Sequence, residues 1–176
     1  MKKITEEQDE PYQHAIRQYL LQCANHVIAL APLPEFKEVI GSLEFYDQEP
    51  TKRNREKLKK IYRDLRRGRK SWRRDYGRSA LSEIYYGLCG TLQIVLHRQN
   101  YFTTGGGFRF TEARYLATEN VTVNLGLVSM DPYLPEKAQN MEHDWQHEVW
   151  LKTLGEYHEK YDIKESVKTE KVLTAA

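Results

Sequence analysis

Cysteine is scarce, with two residues in 176, and neither Cys23 nor Cys89 belongs to a CxxC pair. That excludes a disulfide scaffold and a zinc site built on paired thiolates. Long apolar runs are missing as well. No window approaches the roughly 18–20 apolar residues that a membrane-crossing helix needs. Glu6, Glu7, Asp9 and Glu10 stand where an export leader would carry its hydrophobic stretch. A cytoplasmic protein with two free thiols, each set in an apolar helical pattern, is therefore expected. No internal repeat is visible.

What is present is charge, unevenly placed. Net charge is +2 at neutral pH, from 27 Lys and Arg against 25 Asp and Glu. The stretch 51–78, TKRNREKLKKIYRDLRRGRKSWRRDYGR, holds fourteen of the cations and three acids, Glu56, Asp64 and Asp75, so +11 resides there and −9 in the remainder. A near-neutral total hides a strong dipole. This concentration exceeds what a mixed solvated face needs, and the ligand class it suits is the dense phosphate charge of a nucleic acid.

A chain of 176 residues suits one domain, able to bury roughly 70% of its unfolded surface. Apolar residues recur at helical spacing along 11–31 (Ile16, Leu20, Cys23, Val27, Leu30) and again at Phe36, Val39, Ile40 and Leu43, with Pro32 and Pro34 between the two runs. Leu58, Ile61, Tyr62 and Leu65 predict a third helix with a cationic back, capped near Gly68 and followed by a flexible link to Gly77. The longest apolar stripe, Leu81, Ile84, Tyr85, Leu88, Leu92, Val95 and Leu96, predicts a core helix over about 79–98 against which the others dock. Gly105, Gly106 and Gly107 place a flexible loop near 103–108. Residues 111–130 mix helix formers with the strand-favouring Val121, Thr122 and Val123. Helix is the reading there, because no partner strands appear elsewhere. Pro132 and Pro135 bracket a turn, beyond which Trp145, Val149, Trp150, Leu151, Leu154, Tyr157 and Tyr161 predict a last helix. The expectation is an all-α, single-domain bundle of about five or six helices over 11–162, with a flexible N-terminus (1–10) and a loosely ordered C-terminal tail (163–176).

No catalytic signature stands out. His143 and His147 share a helical face, but Asp144 follows the first where the zincin motif has Glu, so no metal is assigned. The glycine run lacks the Lys-Ser/Thr of a phosphate loop, and Ser79, Ser82 and Ser129 lack a nucleophile elbow. The chain therefore reads as non-enzymatic, with no cofactor. Phosphate contacts are expected from Arg55, Lys59, Arg63, Arg66, Arg67, Arg69, Lys70, Arg73 and Arg74, with Trp72 stacking on bases. No zinc finger, basic zipper or RNP motif accompanies them, so binding without sequence specificity to RNA or DNA follows, in the manner of an accessory subunit of a larger complex.

The run Glu142, His143, Asp144, Trp145, Gln146 resembles a Glu-x-x-Trp-Gln motif of immunity proteins of bacterial toxin systems, over five residues. That resemblance implies an alternative: a protein-binding module of the immunity or adaptor kind, whose charged surface meets an acidic protein partner.

Overall fold

The computed structural model describes residues 11–97, 106–124 and 133–160. They form six helices: α1 (Pro11–Ile28), α2 (Pro34–Gln48), α3 (Lys52–Tyr76), α4 (Ala80–His97), α5 (Gly106–Asn124) and α6 (Leu134–Lys160). No strand occurs among the described residues, and the chain is an all-α bundle. The N-terminal stretch 1–10 and the tail 163–176 lie outside the described residues, as do 98–105 and 125–132.

The core is organised by α4, which packs against α1, α2, α3 and α5, while α6 docks on α1 and α5. Its predicted stripe is buried at Ile84, Tyr85, Leu88, Leu92, Val95 and Leu96. Each such side chain removed from water contributes about 1.5–3 kcal/mol before chain entropy is subtracted. The helix opens on a reciprocal cap: the Ser82 backbone N–H donates to Ser79 Oγ at 3.2 Å and the Ser79 N–H to Ser82 Oγ at 3.3 Å. Two donors left unpaired by a first turn are satisfied this way.

At Gly87 the helices α4 and α5 approach closely. A Cβ built on Gly87 would lie 2.3 Å from Cε1 of Phe110, whose ring is fully buried. Gly87→Ala would gain about 1 kcal/mol of helix propensity, but it must push apart two packed helices, which costs about 1–3 kcal/mol or more. A melting temperature several degrees below that of the parent is expected by circular dichroism. An unchanged or higher value would show that the α4–α5 spacing is not set by this glycine.

Three boundaries differ from the sequence reading. Gly68 does not cap α3, and no flexible link spans 68–77. The helix runs through to Tyr76, and the chain turns at Gly77, whose φ of 55° suits glycine. Gly68 serves packing instead, since a Cβ there would come within 2.9 Å of the Tyr85 hydroxyl, which donates to the Leu65 carbonyl. Of the predicted glycine loop, 103–105 fall outside the described residues and 106–108 are the start of α5. Finally, α6 begins at Leu134, so Pro135, expected with Pro132 to bracket a turn ahead of the last helix, lies in the helix's first turn, where its missing N–H is not needed; Leu151 of the expected stripe is exposed.

Across 111–124 the helical reading holds. Phe110, Ala113 and Leu116 are buried, and docking on α4 and α6 outweighs the strand preference of Val121, which is left exposed.

Candidate nucleic-acid interface

The α3 helix has two unlike sides. Leu58 is fully buried, and Ile61, Tyr62, Leu65 and Trp72 pack against the core. Hydrogen bonds hold this side to α4: the Tyr62 hydroxyl donates to Gln93 Oε1 at 3.2 Å and the Tyr86 hydroxyl to the Arg69 carbonyl at 3.3 Å. At the start, Thr51 caps the helix by accepting the Asn54 N–H at 3.3 Å.

The other side is cationic in an ordered way. A helix returns to nearly the same face every seven residues, drifting by about 20°. Lys52, Lys59, Arg66 and Arg73 make one such column. Glu56, Arg63 and Lys70 make the next, and Arg53, Lys60, Arg67 and Arg74 a third. All of these are exposed except Lys59, which is half-buried. Successive members of a column advance by about 10 Å along the axis, so ten cations cover one flank of the helix.

Few of them are neutralised. Lys59 Nζ lies 2.5 Å from Glu56, Arg67 lies 3.5 Å from Asp64 and Arg74 lies 2.9 Å from Asp75, each pair lying within α3 and exposed to water. The hydrogen bond from Lys59, helped by the charges of Lys59, Arg63 and Lys52, holds the Glu56 carboxyl below its ordinary range. Among the described residues no carboxylate comes within ion-pair distance of Lys60, Arg63, Arg66, Arg69, Lys70 or Arg73. The Arg66 guanidinium lies over the Tyr62 ring at 5.8 Å, a contact that leaves its charge available.

Two of the predicted contact residues are engaged internally. Arg55 Nη2 donates to the Leu96 carbonyl at 2.8 Å, satisfying one of the last carbonyls of α4 that lack a helical partner. Trp72 is stacked on Tyr85 at 4.5 Å, lies against Tyr76 at 4.5 Å and approaches Phe36 at 5.5 Å. The ring is half-buried against the core, and these contacts occupy part of the surface that base stacking would use.

Where α3 ends, its cations meet α4 and α5 across a cleft of about 790 Å³. Arg69, Lys70 and Arg73 line one wall; Arg78, Glu83, Tyr86, Phe108, Arg109 and Glu112 line the rest. Arg109 Nη1 donates to Glu83 at 2.8 Å, and Arg78 pairs with Glu112. The Arg69 and Arg109 guanidinium groups lie 5.1 and 5.7 Å from the centre of the Tyr86 ring. The sequence reading did not include Arg78, Tyr86, Phe108 or Arg109 in the site. No local signal marks the last three, because only the docking of α5 on α4 brings them to the end of α3.

The other candidates fall elsewhere. His143 and His147 are exposed on α6, and among the described residues no three His, Cys, Asp or Glu side chains gather as a metal site; the His158 side chain lies outside them. Burial pushes the Cys23 thiol up to about 12 and that of Cys89 up to about 11, the latter against the opposing pull of Arg69 and Arg66. Neither thiol is activated at neutral pH.

In the run that carries the resemblance, Glu142 and Gln146 are buried and Trp145 is half-buried, while His143 and Asp144 are exposed. Glu142 is 2% exposed; its Oε2 accepts from Arg114 Nε at 3.2 Å and its Oε1 from Gln146 Nε2 at 3.2 Å, with His26 Nδ1 3.2 Å from Oε1 and 3.1 Å from Oε2. Trp145 stacks on His26, with ring centres 3.7 Å apart. These contacts tie α6 to α1 and α5. No protein-family model, no curated protein and no solved structure matches the chain.

Proposed function

We propose that this protein is a non-enzymatic nucleic-acid-binding protein that holds backbone phosphates on the solvent side of α3. The observation that carries the reading is the row of exposed cations at Lys60, Arg63, Arg66, Lys70 and Arg73, all on one flank of a single rigid helix and without a carboxylate partner among the described residues. A helix fixes their spacing before any ligand arrives, so little ordering entropy is lost when phosphates bind. The complementary −9 of the remaining sequence repels a polyanion from the other faces and turns α3 toward it. Phosphates look alike in every sequence, and binding without sequence preference follows.

Salt titration tests this. Anisotropy of labelled RNA and DNA strands and of a DNA duplex should report binding at low salt. With about six cations on duplex phosphates, log affinity should fall against log salt with a slope near −5. Absence of binding at low salt, or a slope near zero, would overturn the reading. Recovery of one acidic protein from nuclease-treated lysate, with no retardation of either polymer, would favour the adaptor alternative instead.

A further inference from the structure

Resting on the phosphate-binding reading of α3, we infer that the cleft between α3, α4 and α5 takes one unpaired nucleotide of a single strand, with its phosphate on the α3 wall and its base on Phe108. The walls differ in kind. Arg69, Lys70 and Arg73 present cations with no carboxylate partner among the described residues, whereas Arg78 and Arg109 on the facing side are each paired with an acid, Glu112 and Glu83. Free positive charge is thus concentrated on α3, and a phosphate is drawn to that wall.

The facing wall offers what a phosphate does not need. Phe108 leaves 59% of its surface in water, although it lines a cleft rich in charged groups. A large apolar ring beside fixed cations is the arrangement that grips single strands, because every base has a π-face and stacks without regard to sequence. The volume of about 790 Å³ falls within the range of small-molecule sites, so a nucleoside with its phosphate fits. In an intact duplex the base faces are hidden by stacking and pairing. A duplex therefore meets only the α3 flank, while a single strand meets the flank and the cleft.

The test compares Phe108→Ala and Phe108→Tyr with the parent, using a labelled single strand and a blunt duplex of the same sequence. Phe108 is exposed, so both variants should fold, with far-UV circular dichroism as the check. Phe108→Ala should weaken single-strand binding about tenfold or more and leave duplex binding unchanged, and Phe108→Tyr should retain most of the single-strand affinity. Equal affinity of parent and Phe108→Ala for the single strand overturns the cleft assignment while salt-dependent duplex binding keeps the α3 reading standing. Failure of the parent to bind either polymer removes both.

Discussion

Reversing charge at Arg63, Arg66, Lys70 and Arg73 together, each to Glu, is expected to weaken nucleic-acid binding at least about a hundredfold near physiological salt and to flatten the salt slope by about four. The four alternate at three and four residues along α3 and belong to its two columns nearest the cleft. None has a carboxylate partner among the described residues. Each removed contact withdraws one released counterion, and each new carboxylate repels the strand. Stability should hold, because all four side chains are exposed and the new carboxylates fall three or four residues from the remaining Lys59, Lys60, Arg67, Arg69 and Arg74. Reversal at Arg67 and Arg74, already paired with Asp64 and Asp75, should weaken binding less. Anisotropy titrations of the two variants against the parent decide it. Parental affinity in the fourfold variant, with its circular dichroism intact, would mean that the polymer is held elsewhere or not at all.

The parts of this molecule that the sequence predicts are those where one helix is apolar on one side. The stripes of α1, α2 and α4 appear as Leu, Ile, Val and Phe at three- and four-residue spacing, and these residues are the core. The start of α6 was hidden for the opposite reason: the side it buries is partly polar. Glu142, Gln146 and Thr153 are buried along it, so hydrophobic periodicity picks up only the later tryptophans. Glycines misled in both directions, because a glycine signals either a turn or a close approach, and the sequence does not say which. Gly77 is a turn, whereas Gly68 and Gly87 make room for Tyr85 and Phe110, side chains 17 and 23 residues further along the chain.

The site was legible to the same extent. Charge counting found α3 as a cationic element, and the columns at Lys52, Lys59, Arg66 and Arg73 and at Arg53, Lys60, Arg67 and Arg74 were present as a seven-residue period. The roles of Arg55 and Trp72 were not legible. A guanidinium on the α4 terminus and an indole among Phe36, Tyr76 and Tyr85 look, in sequence, like their exposed neighbours.

The second large effect concerns Glu142. Its carboxylate is buried and receives Arg114 and Gln146, with His26 alongside. Removing one partner of a buried charge pair leaves the others without their hydrogen bonds, at about 3–5 kcal/mol when all are enclosed. Here the Arg114 and His26 side chains keep 26% and 38% of their surface and reach water, so Glu142→Ala should lose about 2–3 kcal/mol. For a chain of this size that is a fall of about 5–10 °C in melting temperature. Glu142→Gln keeps the acceptor oxygen and should lose less. Measured well below either transition, nucleic-acid affinity should match the parent, because these contacts join α1, α5 and α6 and none reaches α3. Under the adaptor alternative the charged surface of α3 would meet the partner, so partner binding by Glu142→Ala should likewise match the parent. A Glu142→Ala protein that melts with the parent would show that the carboxylate is spare in the fold.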